Sequence, residues 1–498
     1  MSETSHNWPF DTVLVANRGE IAARVLRTVQ KLGLKGAIVY HAADRLTVGV
    51  ALADIAIEIT GETPVAAYLD GAQIIAAAKQ CGAGAIHPGY GFLSENHGFA
   101  AAVEAAGLRF VGPTPEQIDA MGDKVRARNA VEKAGFPVAP SAIEDDDPAT
   151  FVERARKVGA PLLIKPSAGG GGKGMHIVRD LTKLETEIEH ARSEAKRYFG
   201  DGRLFAERYV DHPHHIEVQV LGDGQGNVIH VMERECSVQR RFQKIIEETP
   251  SPSLTPEKRR EICETAAGIA RSINYRNAGT VEFIFGAKGE FYFLEMNTRL
   301  QVEHPITEEI NRVDLVEHQL RVAAGEKLAL TQADIQPHGH AIECRIYAED
   351  AAHNYTPTTG PLLVLRPPSG QHVRWDSGVV EGGAVTAAFD PMIAKLIVWA
   401  EQRDEAIARM DAALHNTVLL GCKTNIGFLR RLITSQVFHD AQIHTSWLDG
   451  HPEATAEPGL SATTLHALLA AAALSTKPLR DAANAVPDLH AAIGAWRS

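Results

Sequence analysis

Apolar and polar positions along the first 120 or so residues alternate in blocks that read as strand, then helix. Val13 to Ala16 form a short apolar run. After Asn17-Arg18-Gly19-Glu20, residues Ile21, Val25, Val29 and Leu32 recur on one side of a helix that Gly33 closes. Further runs at Gly36 to Tyr40, Ala83 to His87 and Leu108 to Val111 are separated by helical stretches. This pattern predicts a doubly wound parallel sheet, with ligands at the edge where its strands end. Asp123 to Ala134 reads as helix, and Phe136-Pro137-Val138-Ala139-Pro140 as a boundary, because two prolines cannot continue a helix. A small α+β module is expected to about Val210. A larger one follows to about Gly450, with antiparallel strands such as Val228 to Met232, His340 to Ile346 and Ile393 to Trp399. Beyond Gly450 the composition shifts to Ala, Leu, Thr and Pro, with a helical run from Leu465 to Leu474, which reads as a separate tail.

One stretch breaks the simple alternation. Gly279 to Phe285 and Phe291 to Glu303 are β-branched and aromatic arms, and Lys288-Gly289 between them suits a two-residue turn. That turn would pair Ala287 with Glu290 and so set Glu282 directly opposite Glu295. Like charges facing across strands repel, and a bound cation would remove the conflict. If the chain stays extended, Glu295, Asn297, Arg299, Gln301 and Glu303 share one face. Hard oxygen donors beside an arginine suggest Mg²⁺ with phosphate nearby.

Length and charge narrow the classes. The 498 residues suffice for three or four domains, and 50 Lys plus Arg against 62 Asp plus Glu give a net charge of −12. That balance argues against nucleic acid as a partner. The five cysteines lie far apart without a C-x-x-C, which fits neither a disulfide framework nor structural zinc and points to a reducing compartment. No basic leader precedes an apolar core and no run is long enough to span a membrane, so a soluble cytoplasmic protein is expected.

The run Gly169-Gly170-Gly171-Gly172-Lys173-Gly174 follows the apolar Leu162-Leu163-Ile164-Lys165 and precedes Met175-His176-Ile177-Val178. A dinucleotide fingerprint needs a helix afterwards, and a P-loop needs Lys-Ser/Thr; neither follows. A glycine loop between two strands reads instead as a flap whose backbone N–H groups can close over a polyphosphate. The cluster His212, His214 and His215 lacks a thiolate or second ligand pair, so turn and surface roles are preferred over zinc. Alternation places His215, Glu217 and Gln219 on one strand face, suited to a nucleotide contact. The run Gln239-Arg240-Arg241-Phe242-Gln243-Lys244 reads as a solvated charge patch or as an anion site.

These residues together resemble the biotin carboxylase component of biotin-dependent carboxylases, an ATP-grasp family, from about Val13 to Trp447. The resemblance rests on Ala16-Asn17-Arg18-Gly19-Glu20-Ile21-Ala22, on His87-Pro88-Gly89-Tyr90-Gly91-Phe92-Leu93-Ser94-Glu95-Asn96 and on Met121-Gly122-Asp123-Lys124. The glycine loop, Glu295 to Pro305 and Glu343-Cys344-Arg345 complete it. Phe389 to Leu396 and Leu419 to Asn425 look most like the α subunits of acyl-CoA carboxylases, including the methylcrotonyl- and geranyl-CoA types. The resemblance implies an N-terminal domain at 1–122, an ATP-grasp region at 123–338 with a lid at about 139–210, an antiparallel C-terminal subdomain at 339–450, and a tail at 451–498 resembling the start of a linker to partner or carrier domains.

Carried over by position, the resemblance implies that ATP is held by Lys124, Lys165, Gly169, Gly170, Gly171, Gly172, Gly174, Met175, Glu207, Arg208, Tyr209, Val210, His215 and Gln239. Glu282, Glu295 and Asn297 would bind Mg²⁺ or Mn²⁺. Lys244, Arg299, Gln301, Val302 and Glu303 would hold bicarbonate, with Glu303 as the base. The carbonate would attack the γ-phosphate to give carboxyphosphate, which yields CO₂ and phosphate. The phosphate would take the ureido proton of biotin, and Arg345, with Tyr90 nearby, would stabilise the enolate. Partners would be a biotin carrier and a carboxyltransferase subunit, with a homodimer formed through Arg24 and Arg27 on the outer side of the first helix.

Two departures stand out. Phe242 occupies a position where many family members carry His, and it cannot donate to a phosphate. Lys173 replaces a common Arg. None of the seven methionines neighbours a lysine, so biotin is expected on a carrier that is not part of this sequence. The rival readings are another ATP-grasp carboxylate–amine ligase and, because of Phe242, a nucleotide-binding scaffold with little turnover.

Overall fold

In the computed structural model of the chain, which describes residues 8–144, 147–166, 175–199, 202–457, 459, 461–475 and 481, the first apolar run becomes β1 (Thr12–Val15). Val13 and Val15 enter one apolar cluster and Leu14 another, because helices cover both faces of the sheet. The run is apolar throughout for that reason. With β2 (Lys35–Tyr40), β3 (Ile55–Glu58), β4 (Ala85–His87) and β5 (Arg109–Phe110) it forms a parallel sheet of order β3-β2-β1-β4-β5. Helix Gly19–Lys31 buries Ile21, Val25 and Val29 on one face, and helix Gly71–Gln80 buries Ile74, Ala77 and Ala78 on the other. The expected doubly wound α/β unit is present, with edge strand β3 added to the strands anticipated from sequence.

A smaller antiparallel sheet follows, built from β6 (Ser141–Ile143), β7 (Leu162–Pro166), β8 (His176–Val178) and β9 (Leu204–Arg208) in the order β6-β9-β7-β8. Phe151, Ala155, Leu184, Ile188 and Ala191 from two helices pack its core. The glycine loop at 169–174, with its five predicted nucleotide positions, lies outside the described residues.

The site is carried by a third sheet. Its strands are β10 (His214–Asp223), β11 (Val228–Arg240), β12 (Gln243–Thr249), β13 (Arg276–Phe285), β14 (Phe291–Asn297) and β15 (His340–Tyr347), then strands Met392–Ala400 and Val373–Ser377. They lie in the order β14-β13-β10-β11-β12-β15 followed by the last two, all antiparallel. The sheet is continuous from β12 into β15, so polar residues from distant parts of the sequence meet on one surface. The described residues from Thr455 onward form a second unit, in which Ala462–Ser475 is helical.

Two clamps join the parallel sheet to this surface. A Cβ on Gly378 would lie 2.3 Å from the Gly19 carbonyl carbon, so only glycine lets that turn approach the start of the first helix, where Glu20 sits. Arg18 pairs with Asp44 at 2.7 Å and stacks 3.7 Å over Phe389. Arg24 does not face outward as the dimer reading required. It is buried, paired with Glu308 at 2.6 Å and Asp314 at 2.8 Å, because an unpaired guanidinium could not be sequestered there.

His87, at the end of β4, is fully buried. Its Nδ1 accepts from the Gly89 N–H at 3.0 Å, so Nε2 carries the proton and donates to Gln319 Oε1 at 3.1 Å on helix Leu315–Ala323. Burial pushes this imidazole down to about 4. The folded state therefore resists the proton that the unfolded chain accepts near pH 6.5. Stability should fall as pH drops from about 6.5 towards 4, by roughly 3 kcal/mol from this residue. Urea midpoints measured across that range should show the slope, and His87→Gln should flatten it. An unchanged slope in the variant would mean that other groups carry the acid sensitivity.

Candidate active site

Glu282 and Glu295 are cross-strand partners in the β13–β14 hairpin, as the sequence predicted, but for a different reason. The turn is one residue longer than anticipated: Gly286 pairs with Glu290 through a 2.8 Å N–H to carbonyl bond, and Phe285 faces Phe291. That register alone would have offset the acids. A bulge at Leu294 between the Phe283–Phe293 and Glu282–Glu295 pairs restores the match.

The extended strand ends at Asn297, and the predicted polar strip continues as a loop. Its side chains still converge. Asn297 Nδ2 donates to Glu282 Oε1 at 2.7 Å, Gln301 Nε2 to the same oxygen at 2.9 Å, and Arg299 to Asn297 Oδ1 at 2.9 Å and Glu95 at 2.8 Å. Glu303 stands at the start of helix His304–Asn311 but does not cap it, since its carboxylate turns to Lys244 at 2.8 Å and Arg345 at 2.9 Å.

Lys244, from β12, is the hub. Its ammonium contacts Glu217, Glu282 (3.1 Å) and Glu303, three carboxylates that are almost wholly buried. Glu217 is shared with Arg234, whose Nε lies 2.5 Å from it, while the other guanidinium nitrogens bond Gln219, Thr307 and Thr280. Burial alone would raise all three acids. Lys244, Arg345 and Arg234 nonetheless hold Glu303 well below the usual carboxylate range, and Lys244 and His215 do the same for Glu282. Burial wins at Glu217, which is pushed up despite Arg234. The same carboxylates hold Lys244 charged against burial.

The predicted nucleotide residues fall around this hub and beyond it. His215 Nε2 lies 2.8 Å from Glu282, and its Nδ1 meets Gln239 Nε2 at 3.0 Å. Lys124 is exposed and pairs with Glu295 at 2.9 Å. Lys165 pairs with Glu207 at 2.6 Å across β7 and β9, while Arg208, one residue on, turns away to the Ala160 carbonyl at 2.9 Å. Tyr209 bonds the Pro161 carbonyl through its N–H at 3.0 Å, Val210 is buried, and Met175 is exposed. Of the two biotin positions, Arg345 joins the hub, whereas the Tyr90 hydroxyl bonds Glu20. The Val302 carbonyl accepts from Lys395 at 2.7 Å, and Lys395 also pairs with Glu20 at 3.2 Å.

Several residues of this network were not singled out from sequence: Arg234, Lys395, the carboxyl of Glu20, and Glu247, which accepts from Arg345 Nε at 2.6 Å. Lys395 carried a signal, being one ionisable residue within the apolar Met392 to Trp399 run. Phe242, whose place raised doubt, sits in the two-residue β11–β12 turn with φ of 66°, largely exposed, so it opens no gap among the hub residues.

Comparison with known proteins places this arrangement. Residues 9–118 match the biotin carboxylase N-terminal domain, 123–331 the carbamoyl-phosphate synthase L chain ATP binding domain, and 343–450 the biotin carboxylase C-terminal domain. The chain is 47% identical over 446 residues to the biotin carboxylase of Halalkalibacterium halodurans, covering 89% of this chain and 98% of that one. The chain belongs to the biotin carboxylase family. It is also 47% identical over 441 residues to the mitochondrial methylcrotonoyl-CoA carboxylase subunit alpha of Rattus norvegicus, covering 88% of this chain and 62% of that one. It thus spans less than two thirds of that relative's length. The biotin carboxylase domain dimer of Hydrogenobacter thermophilus 2-oxoglutarate carboxylase, solved with MgADP, ADP and bicarbonate, superposes with a TM-score of 0.83 at 43% identity, covering 91% of this chain and 100% of that one.

In this biotin carboxylase family member, removing the hub cation should be costly. Lys244→Met leaves buried carboxylates short of a counter-charge and should lower unfolding free energy by about 3–5 kcal/mol. Glu303→Gln in the same chain should restore part of that loss in a double-mutant cycle. A single variant within about 1 kcal/mol of the parent would show that the carboxylates are neutralised some other way.

Proposed function

We propose that this chain carries out the ATP- and bicarbonate-dependent carboxylation of biotin presented on a separate carrier, the first half-reaction of a biotin-dependent carboxylase. The observation that carries this reading is Glu303, a buried carboxylate gripped by Lys244 on one oxygen and Arg345 on the other. A carboxylate so held is a weak base. An anion that enters and takes a share of Lys244 and Arg345 raises its basicity at the moment a proton must be removed.

Bicarbonate fits that requirement. Lys244, Arg299, Gln301 and the Val302 backbone bind and orient it, and Glu303 removes its proton. The carbonate oxygen attacks the γ-phosphate of ATP, forming a C–O–P bond as the bond to ADP breaks. Positioning and charge neutralisation do the work in such a transfer. Carboxyphosphate then divides into CO₂ and phosphate, the phosphate accepts the ureido proton of biotin, and Arg345 faces the enolate oxygen that results. A guanidinium remains protonated there at any working pH.

Nucleotide binding is assigned to His215, Gln239, Lys124, Lys165, Met175 and the Glu207–Val210 segment. The donor set of Glu282, Glu295 and the Asn297 carbonyl consists of hard oxygens, with Glu282 held ionised against its burial by Lys244, His215 and a Gln301 hydrogen bond, and so fits Mg²⁺ or Mn²⁺. These three residues would hold the ion, and when bound it would supply positive charge for the nucleotide phosphates.

Equal identity to a biotin carboxylase and to an acyl-CoA carboxylase α subunit leaves the acyl acceptor to the partner. A carrier, a carboxyltransferase subunit and a second copy of the chain are the partners proposed. Among the described residues no helix is long and apolar enough to cross a membrane, and all five cysteines are free, which supports a reducing, cytoplasmic setting.

ADP release should require bicarbonate and rise with free biotin. Glu303→Gln should reduce it by about 10²–10⁴-fold, while Arg345→Ala should abolish the stimulation by biotin. ADP release indifferent to bicarbonate, or formation of an amide, would instead favour another ATP-grasp ligase.

A further inference from the structure

Glu343 has no role in the mechanism above, yet among the described residues it is the buried acid with both carboxyl oxygens unpartnered. It lies on β15, fully buried, and neither carboxyl oxygen has a hydrogen-bond partner. Its register partner on β12 is Glu247, also fully buried, whose Oε2 is likewise unpartnered. Glu247 Oε1 receives both Nε and Nη2 of Arg345, at 2.6 and 2.5 Å. Two acids thus face each other across adjacent strands in the interior, beside the arginine assigned to the biotin step. The charged groups facing Glu343 are Lys395 from strand Met392–Ala400, Glu247 from β12, Arg345 from its own strand, and Glu303 from the loop before helix His304–Asn311.

Charge does not balance if every group ionises. Lys244 and Arg234 are taken up by Glu217, Glu282 and one oxygen of Glu303, which leaves Arg345 and Lys395 to serve Glu247, Glu343, Glu20 and the other oxygen of Glu303. Lys395 is already committed to Glu20 and to the Val302 carbonyl. An anionic Glu343 would be a buried charge with no donor on either oxygen, a situation proteins relieve by protonation.

We propose that Glu343 is a positioning residue that works as a neutral carboxylic acid. Its proton keeps the strand-opposed pair at one negative charge, so that Arg345 is anchored by Glu247 alone and its remaining charge is available to Glu303 and the substrate. The proposal rests on the role given to Arg345 above. Burial, with Glu247 opposite, pushes the Glu343 carboxyl well above the usual range in spite of Lys395; burial raises Glu247 too, but Arg345 limits the rise to about 7, so Glu247 ionises first and Glu343 is the member of the pair that keeps its proton. At alkaline pH the Glu343 proton is lost, the pair becomes doubly negative, and Arg345 is neutralised from within the protein.

The test is the pH profile of biotin-stimulated ADP release in the full chain. Glu343→Gln copies the neutral form and should keep activity at neutral pH within about threefold, as expected of an isosteric change that loses no hydrogen bond. It should also shift the alkaline limb upward. Glu247→Gln removes the anchoring charge and should cost about a hundredfold or more. Independently of substrate, the infrared spectrum of the parent protein should show a protonated-carboxyl C=O band at neutral pH that disappears on alkaline titration and is missing from Glu343→Gln, which separates it from any band of Glu217 or Glu247. The proposal is overturned if Glu343→Gln loses as much as Glu247→Gln, if its alkaline limb is unmoved, or if the band is absent. Lack of bicarbonate-dependent ADP release in the parent would sink the functional reading instead, and the infrared band would still decide the protonation of Glu343.

Discussion

The Lys244 ammonium, set among three buried carboxylates, is the constraint on which the rest of the site depends. Each of Glu217, Glu282 and Glu303 comes from a different part of the chain, on β10, on β13 and at the head of a helix. Removing such charges from water costs several kcal/mol per ion, and that cost is recovered only where partners are fixed to within hydrogen-bonding distance. The long antiparallel sheet supplies this fixity. Neighbouring strands lie about 4.8 Å apart, so polar residues on one face of β10, β12 and β13 are brought within one side chain's length of a common point. A sheet whose other face is packed with apolar side chains from helix Pro256–Ser272 cannot shift register to relieve the repulsion. The ion network is held in tension by the core behind it.

This explains which parts of the site could be read from sequence. The cross-strand position of Glu282 and Glu295 was legible because strand periodicity is strict, although two departures from ideal pairing cancel to give it. The turn proved one residue longer, and the bulge at Leu294 returned the register. A bulge has little sequence signature, and an exposed Leu in a strand is only a weak hint of one. The polar strip from Asn297 to Glu303 was legible as a set but not as a conformation. Its residues meet because the loop folds back over Glu282, which period-two counting does not describe.

The parallel sheet was readable because strands covered on both faces are apolar at consecutive positions and hold few alternative patterns. Also hidden were ionisable residues whose partners are remote in sequence. Arg24 looks solvent-facing in a helical wheel, yet Glu308 and Asp314 lie nearly three hundred residues away. Lys395 sits within a strand that otherwise reads as core, and Glu247 within a largely polar one, Gln243–Thr249, where nothing local marks it as buried. Local pattern reports where the backbone goes, whereas the pairing of buried charge is decided by which distant strands become neighbours.

The same network bears on how a divalent ion would be received. Glu282 is already paired with Lys244, approached by His215 Nε2 at 2.8 Å and bonded by two amides, and Glu295 is paired with Lys124. The repulsion expected between the two acids is therefore met by the chain's own cations. A metal held there would compete with an ammonium and an imidazole rather than fill a purely anionic cup. Its arrival would release positive charge from Glu282 at the point where Lys244 also contacts Glu303. Lys244 would thereby couple the two sides of the cluster: charge freed at Glu282 would become charge available to an anion beside Glu303. A lysine suits this exchange better than an arginine, because a compact ammonium on a flexible stem redistributes among several oxygens without the loss of a fixed bidentate geometry.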